Sequence, residues 1–70
     1  MRKKVVVSPE VYEILDDVRR SGLVNMLDYR AVAQVCEAIG ERDVAAWIVA
    51  NRRDYARGIL YGFTVEATDE

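Results

Sequence analysis

A chain of 70 residues with a single cysteine, Cys36, and no histidine has few ways to support a small hydrophobic core. A core of this size seldom supplies more than about 3–5 kcal/mol of net stability unless a disulfide, a metal ion or a second chain supports it. One thiol cannot form an internal disulfide. One thiol without any imidazole also supplies too few ligands for a zinc or other transition-metal site. The sequence therefore predicts one small domain over residues 1–70, without a metal or other cofactor, that is supported by homo-oligomerisation.

Composition indicates a folded domain, because 51% of the residues are hydrophobic and 31% are charged. No apolar run approaches the roughly 18 residues of a membrane span, and the apolar stretch near the start ends at Pro9, which is too short for a signal peptide. A lone cysteine suits a reducing compartment. We therefore expect a cytoplasmic protein that has no membrane partner.

The net charge of −2 argues against a dedicated nucleic-acid binder, whose domain is usually strongly basic. The charges are nevertheless unevenly distributed along the chain. Residues 41–62 carry four arginines, whereas the last eight residues carry three acidic residues and no basic one: Glu66, Asp69 and Glu70. The sequence thus predicts a locally basic helix and an acidic tail.

The first helix is predicted to begin at Ser8-Pro9, because serine caps free helix amides and proline suits the first helical position. Gly22 marks its end. Apolar residues recur at helical spacing between these limits: Val11, Ile14, Leu15 and Val18.

A second helix is predicted after a short connection in which either Asn25 or Asp28 can provide the cap. It runs to about Ile39 and ends at Gly40. Its predicted inward face consists of Val32, Val35, Cys36 and Ile39.

The third and longest helix is predicted from about Asp43 to Tyr61. One side carries an apolar stripe that consists of Val44, Trp47, Ile48, Tyr55 and Ile59. Asn51 falls in the centre of this stripe, so we expect it to be largely buried and hydrogen-bonded to the Asn25–Asp28 connection, since a buried amide requires a partner.

The opposite side of this helix is also rich in small and apolar residues. A freely solvated surface does not require Val49, Ala56 and Leu60 in helical register. We therefore expect these three residues at an oligomer interface.

Short strands are predicted at both ends of the chain. Residues 3–7 are β-branched at three positions, and residues 63–67 alternate between apolar and polar side chains. The two segments can pair within or between subunits, which would set Glu66 near a lysine. The predicted fold is thus mainly α: a compact three-helix core (8–62) between a strand or arm (1–7) and a strand with an acidic tail (63–70).

The middle of the chain resembles a family of small phage and prophage proteins of unknown function. The resemblance rests on Gly22, the turn Asn25-Met26-Leu27-Asp28, Gly40, and the segment Asn51-Arg52-Arg53-Asp54-Tyr55, over roughly residues 10–62. Leu27 replaces the phenylalanine that is usual in the turn, and the usual Phe-Tyr pair after Gly40 is absent. The resemblance implies a phage origin, a location in an infected or lysogenic host cell, and a three-helix core.

The arginine-rich part of the third helix is the predicted ligand site. Arg53 and Arg57 lie one turn apart and can converge on one phosphate or carboxylate. Arg52 points about 100° away, and Tyr61 can stack on a base. The alternatives are a solvated face whose arginines pair with the acidic tail, and a protein interface, where arginine and tyrosine are enriched. Asn25, Asp28 and Asn51 are expected to be structural polar residues.

Catalysis finds little support, because the sequence lacks histidine, a nucleophile beside a base and a glycine-rich phosphate loop. Cys36 is expected to be a small core hydrophobe. We expect a non-enzymatic accessory protein that binds or sequesters a small anionic, nucleotide-like ligand as a homo-oligomer, with counter-defence as one role. The alternatives are a protein–protein interaction module that acts on a host or phage protein and, less favoured by the charge, a DNA-binding regulator.

Overall fold

A computed structural model describes residues 4–65 as helices packed around one hydrophobic core and flanked by two short strands. The elements follow in the order β1 (Val5–Val7), α1 (Pro9–Ser21), α2 (Tyr29–Ala38), α3 (Arg42–Ala50), α4 (Arg52–Tyr61) and β2 (Phe63–Val65). The prediction of a mainly α fold with short terminal strands is confirmed. The predicted third helix, however, is two helices, α3 and α4.

Helix α1 has the predicted limits. The Ser8 hydroxyl accepts a hydrogen bond from the amide of Val11 at 3.3 Å, and Gly22 ends the helix with a left-handed φ of 70°. Val11, Leu15 and Val18 are buried, so the stripe predicted from the sequence does face the core.

Helix α2 begins at the cap formed by Asp28, whose Oδ1 accepts from the Ala31 amide at 3.2 Å. Val32 and Cys36 are fully buried, as predicted. The prediction that Ile39 faces inward is wrong, because 56% of that residue is exposed. The helix ends at Ala38, so Ile39 no longer follows the helical period that had placed it beside Cys36.

The predicted third helix is interrupted at Asn51, whose φ of −123° and ψ of 42° lie outside the helical range. At this break the Asn51 Nδ2 donates to the Trp47 carbonyl, one turn earlier, at 3.0 Å. The backbone amide of Asn51 donates to the same oxygen at 2.8 Å. Despite the break, the apolar stripe keeps its direction, and Ile48 and Tyr55 are both buried.

The two strands form a parallel ribbon in which Val5 pairs with Phe63 and Val7 with Val65. The ribbon lies on the helices: β1 contacts α4, and β2 contacts α1. The Phe63 ring packs 6.5 Å from Trp47 and 6.1 Å from Tyr55, measured between ring centroids. The predicted pairing is therefore present within one chain, whereas the expected contact between lysine and Glu66 lies outside the described residues.

Candidate functional site

The side of α4 that points away from the core carries Arg53, Ala56, Arg57 and Leu60, all exposed, and these residues are called the outer face of α4. Tyr55 and Gly58 are buried on the opposite side of the helix. Leu60 is 63% exposed although it is a large apolar residue. The face is thus a mixed surface of two guanidinium groups and an aliphatic side chain.

Arg53 and Arg57 occupy successive turns of this face, and Tyr61 follows Arg57 by a further four residues. Arg57 Nη1 lies 3.9 Å from Asp54 Oδ1, an exposed pair that contributes only about 0–1 kcal/mol to stability. Among residues 4–65, Arg53 takes part in no ion pair. The alternative pairing of these arginines with the acidic tail involves residues outside the described range.

Arg52 lies apart from Arg57 but lines a shallow groove of about 480 Å³ together with Arg53. It lies at the start of α4, where its positive charge acts on the hydroxyl of Tyr29. Arg30 Nε donates to that hydroxyl, at 3.4 Å. The guanidinium of Arg30, followed by that of Arg52, lowers the pKa of the Tyr29 hydroxyl.

Sequence reasoning missed Tyr29 and Arg30, since no local pattern connects them to Arg52 on another helix. One signal was available. Arg30 and Arg52 both lie in the first turn of a helix, where the macrodipole disfavours a cation. Arg42 and Arg53 also lie in first helical turns, so this signal does not by itself single out Arg30 and Arg52.

The polar residues predicted to be structural have local partners. Asn25 is exposed, and its Oδ1 accepts from the Leu27 amide at 2.9 Å. The prediction that Asn51 is largely buried and binds the Asn25–Asp28 connection is wrong, because Asn51 is only partly buried and its Nδ2 donates to the carbonyl of Trp47 in α3. Tyr55 makes that contact instead, and its hydroxyl donates to the carbonyl of Met26. Burial raises the pKa of Tyr55 above its ordinary value.

The residues predicted at an oligomer interface are all exposed, but they belong to two helices. Val49, which is 55% exposed, lies near the end of α3, whereas Ala56 and Leu60 lie on α4. The break at Asn51 separates them. The continuous face expected from one long helix is therefore divided in two.

Two surface grooves also flank the core. The first, of about 310 Å³, lies between α1 and α4 and has an apolar floor that includes Leu15, Met26 and Phe63. The second, of about 520 Å³, lies between α2 and α3 and is lined by Arg30, Ala33, Gln34, Glu37, Ala45, Ala46 and Val49. Neither groove was predicted, because each is formed by residues far apart in the sequence.

The described residues contain no group of three or more histidine, cysteine or acidic side chains that could hold a metal ion. Cys36 is fully buried, as predicted for a core residue. Burial and, to a lesser extent, Glu41 raise the pKa of its thiol, which disfavours the nucleophilic thiolate. Across residues 4–65, every helix is too short or too polar to cross a membrane.

Comparison with known protein families gives a match over residues 8–63, a span that contains all four helices described above. The matching family is described as a domain of unknown function, DUF5049. Comparisons with curated proteins and with solved structures found no match. The match begins at the cap of α1 and ends at the first residue of β2. The chain therefore belongs to the DUF5049 family.

Proposed function

We propose that this chain is a non-enzymatic, phage-type accessory protein that binds a host or phage protein through the outer face of α4. One observation carries the proposal: Arg53, Arg57 and Leu60 are exposed together on a helix whose other side is anchored in the core. The phage assignment is supported by the resemblance of the Asn25–Asp28 turn and the Asn51–Tyr55 segment to phage and prophage proteins. It would place the protein in the cytoplasm of an infected or lysogenic host cell.

The chemistry of this face favours a protein partner. Arginine is enriched at protein interfaces, where its planar fork binds carboxylates in a bidentate geometry. Leu60 lies one turn from Ala56 and Arg57, so a partner that covers it removes apolar surface from water. Arg53 borders only a shallow, polar groove at the start of α4, whereas small-molecule sites are usually deeper and mostly apolar. The expected partner therefore presents acidic side chains around an apolar patch.

Self-association is part of the same proposal. A chain of 70 residues has a small core, and Val49 and Leu60 expose more than half of their surfaces. A homo-oligomer would remove these side chains from water and supply the additional stability that a small domain needs.

A small anionic, nucleotide-like ligand, sequestered for example in counter-defence, is the second candidate for this face. It is favoured by the spacing of Arg53 and Arg57 on successive turns, because two guanidinium forks so placed can hold one phosphate. Tyr61, one turn further along, supplies a ring for stacking on a base.

The test is site-specific photocrosslinking in host cells, with the crosslinking residue placed at Ala56 in the centre of the outer face. The matched control carries it at the exposed Glu13 on α1. We expect a defined protein adduct from position 56 that is absent from position 13. Arg53→Glu/Arg57→Glu should remove the adduct, whereas Arg20→Glu/Arg42→Glu, which changes the charge equally, should retain it.

Two results would contradict the protein-binding proposal. The first is that the crosslinking residue gives the same set of protein adducts at position 56 as at position 13. The second is an adduct from position 56 that survives the charge reversal at Arg53 and Arg57. A third outcome is that no protein is captured, while a nucleotide co-purifies with wild type and not with Arg53→Glu/Arg57→Glu. In that case small-ligand binding replaces protein binding as the proposed function.

A further inference from the structure

The groove between α2 and α3 carries opposite charges toward its two ends. On the α2 side it is lined by Arg30, Gln34 and Glu37, which lie on successive turns of that helix. Arg30 and Glu37 are the two charged residues among those that line the groove. Their spacing in the helix corresponds to about 10 Å along its axis. The α2 side of the groove therefore carries a positive charge, a neutral amide and a negative charge in that order.

Neither charge is satisfied within its own helix. Arg30 lies in the first turn of α2, at the positive end of the helix dipole, and Glu37 lies in the last turn, at the negative end. Both residues are exposed, and neither takes part in an ion pair within residues 4–65. Asp28 acts on Arg30 through its charge, but its Oδ1 caps α2. A partner that brings the opposite charge to each end of the groove would therefore relieve both placements.

We propose that this groove is the interface of a two-fold symmetric homodimer, in which α2 of one chain packs antiparallel to α2 of the other. The inference rests on the self-association proposed above and assigns a surface to it. A two-fold axis near Gln34 reverses the order of the charges, so Arg30 of each chain meets the partner subunit's Glu37. A second copy of this chain is thus the partner whose charges match the groove at both ends.

Gln34 suits the position on the symmetry axis. A residue at that position meets its own copy, so a charged side chain there would repel its counterpart. The Gln34 amide has both a donor and an acceptor group, so the two copies can hydrogen-bond to each other across the axis. The middle of the groove is therefore complementary to itself, as its two ends are to each other.

The floor of the groove allows another helix to approach closely. Ala33 and Ala45 are buried, Ala46 is exposed, and none of the three has a side chain longer than a methyl group. Val49 lies beside them and is 55% exposed, so a second chain in the groove would remove its apolar surface from water. No residue of α4 lines this groove, which leaves the outer face of α4 available to a different protein.

The experiment is sedimentation equilibrium of the full chain at low salt, where exposed charges are least screened. Arg30→Glu or Glu37→Arg turns both attractions between the subunits into repulsions. We expect either variant to raise the dissociation constant of the dimer by roughly tenfold or more. The charge swap Arg30→Glu/Glu37→Arg restores both attractions and should dimerise as wild type does. Glu13→Arg, a matched reversal at an exposed position of α1, should also dimerise as wild type does.

A mixture of the two single variants tests the pairing directly. In a heterodimer of Arg30→Glu with Glu37→Arg, glutamate faces arginine at both contacts, whereas each homodimer has like charges at both. The equimolar mixture should therefore associate more tightly than either variant alone. Circular dichroism should show unchanged helicity in both variants, because each reversal places at its end of α2 the charge that the helix dipole favours.

The outcomes separate this interface from self-association in general. A wild type that sediments as a monomer would refute both. A wild-type dimer whose dissociation constant neither reversal changes would overturn the assignment to the groove and leave self-association standing. The same holds if the mixture associates no more tightly than its components. Assembly of wild type beyond a dimer would contradict the closed two-fold interface.

Discussion

The hydroxyl of Tyr55 donates a 2.5 Å hydrogen bond to the carbonyl oxygen of Met26, 29 residues earlier in the chain. Tyr55 is only 1% exposed, so this bond forms inside the core. This hydrogen bond links α4 to the connection between α1 and α2. The Asn25–Asp28 turn is therefore held by a side chain of α4, the helix that carries the candidate interaction surface.

Tyr55→Phe is expected to lower the free energy of unfolding by about 1–2 kcal/mol, because the Met26 carbonyl loses its buried donor. Urea denaturation at neutral pH measures the change. Tyr12→Phe, at an exposed position, should change stability by a few tenths of a kcal/mol. Asn51→Ala is the informative contrast, because the Trp47 carbonyl still accepts a hydrogen bond from the backbone amide of residue 51. We expect this variant to lose less unfolding free energy than Tyr55→Phe does. Equal stability of Tyr55→Phe and wild type would contradict this account.

Alkaline pH should destabilise the protein through Tyr55. Burial raises its pKa in the folded state, so the fold favours the neutral phenol. The stabilisation from the neutral Tyr55 phenol is complete below pH about 10, the pKa of tyrosine in the unfolded chain. It is lost as pH rises from there toward the higher pKa of Tyr55 in the folded protein. Tyr29, whose pKa is lowered, acts in the opposite sense. We expect the midpoint of urea denaturation to fall above pH about 10 in wild type and in Tyr29→Phe. A fall of the same size in Tyr55→Phe would show that another group is responsible.

Gly58→Ala should destabilise the protein although it replaces a glycine inside a helix. Such a change usually stabilises by about 0.5–1 kcal/mol. Here an added Cβ would meet the Phe63 ring, which packs against Trp47 and Tyr55. We expect a loss of about 1–3 kcal/mol in urea denaturation. In a Phe63→Ala background the same substitution should be neutral or stabilising, and a loss of equal size there would exclude the steric explanation.

Self-association should depend on the exposed apolar residues of α3 and α4. Light scattering of wild type at micromolar concentration is expected to give a multiple of the 8.0 kDa chain mass. Val49→Asp/Leu60→Asp should reduce it to the monomer with unchanged helicity. Leu23→Asp, an equally polar change at another exposed position, should not affect it. A monomeric wild type would refute the proposed oligomer.

Sequence patterns predicted the parts of this fold that are determined locally. Ser8 and Gly22 bound α1 because capping involves only neighbouring residues. The helical period likewise identified Val32, Ile48 and Tyr55 as core residues. The break at Asn51 was missed because Asn51 lies in register with an apolar stripe that continues across the break from Ile48 to Tyr55. The hydrogen bond from Tyr55 to the Met26 carbonyl requires α4 to be packed against the connection between α1 and α2, which no local pattern encodes.

The pairing of β1 with β2 determines when the molecule can be completed on the ribosome. Val5–Val7 is synthesised before the helices, yet it acquires its partner strand only when Phe63–Val65 has emerged after them. Contacts between such distant segments form late, since the loop between them must first be ordered. Throughout translation β1 is an unpaired β-branched segment, the kind that pairs with other chains. A chain truncated before Phe63 would therefore leave β1 without its partner strand, as an exposed and aggregation-prone segment.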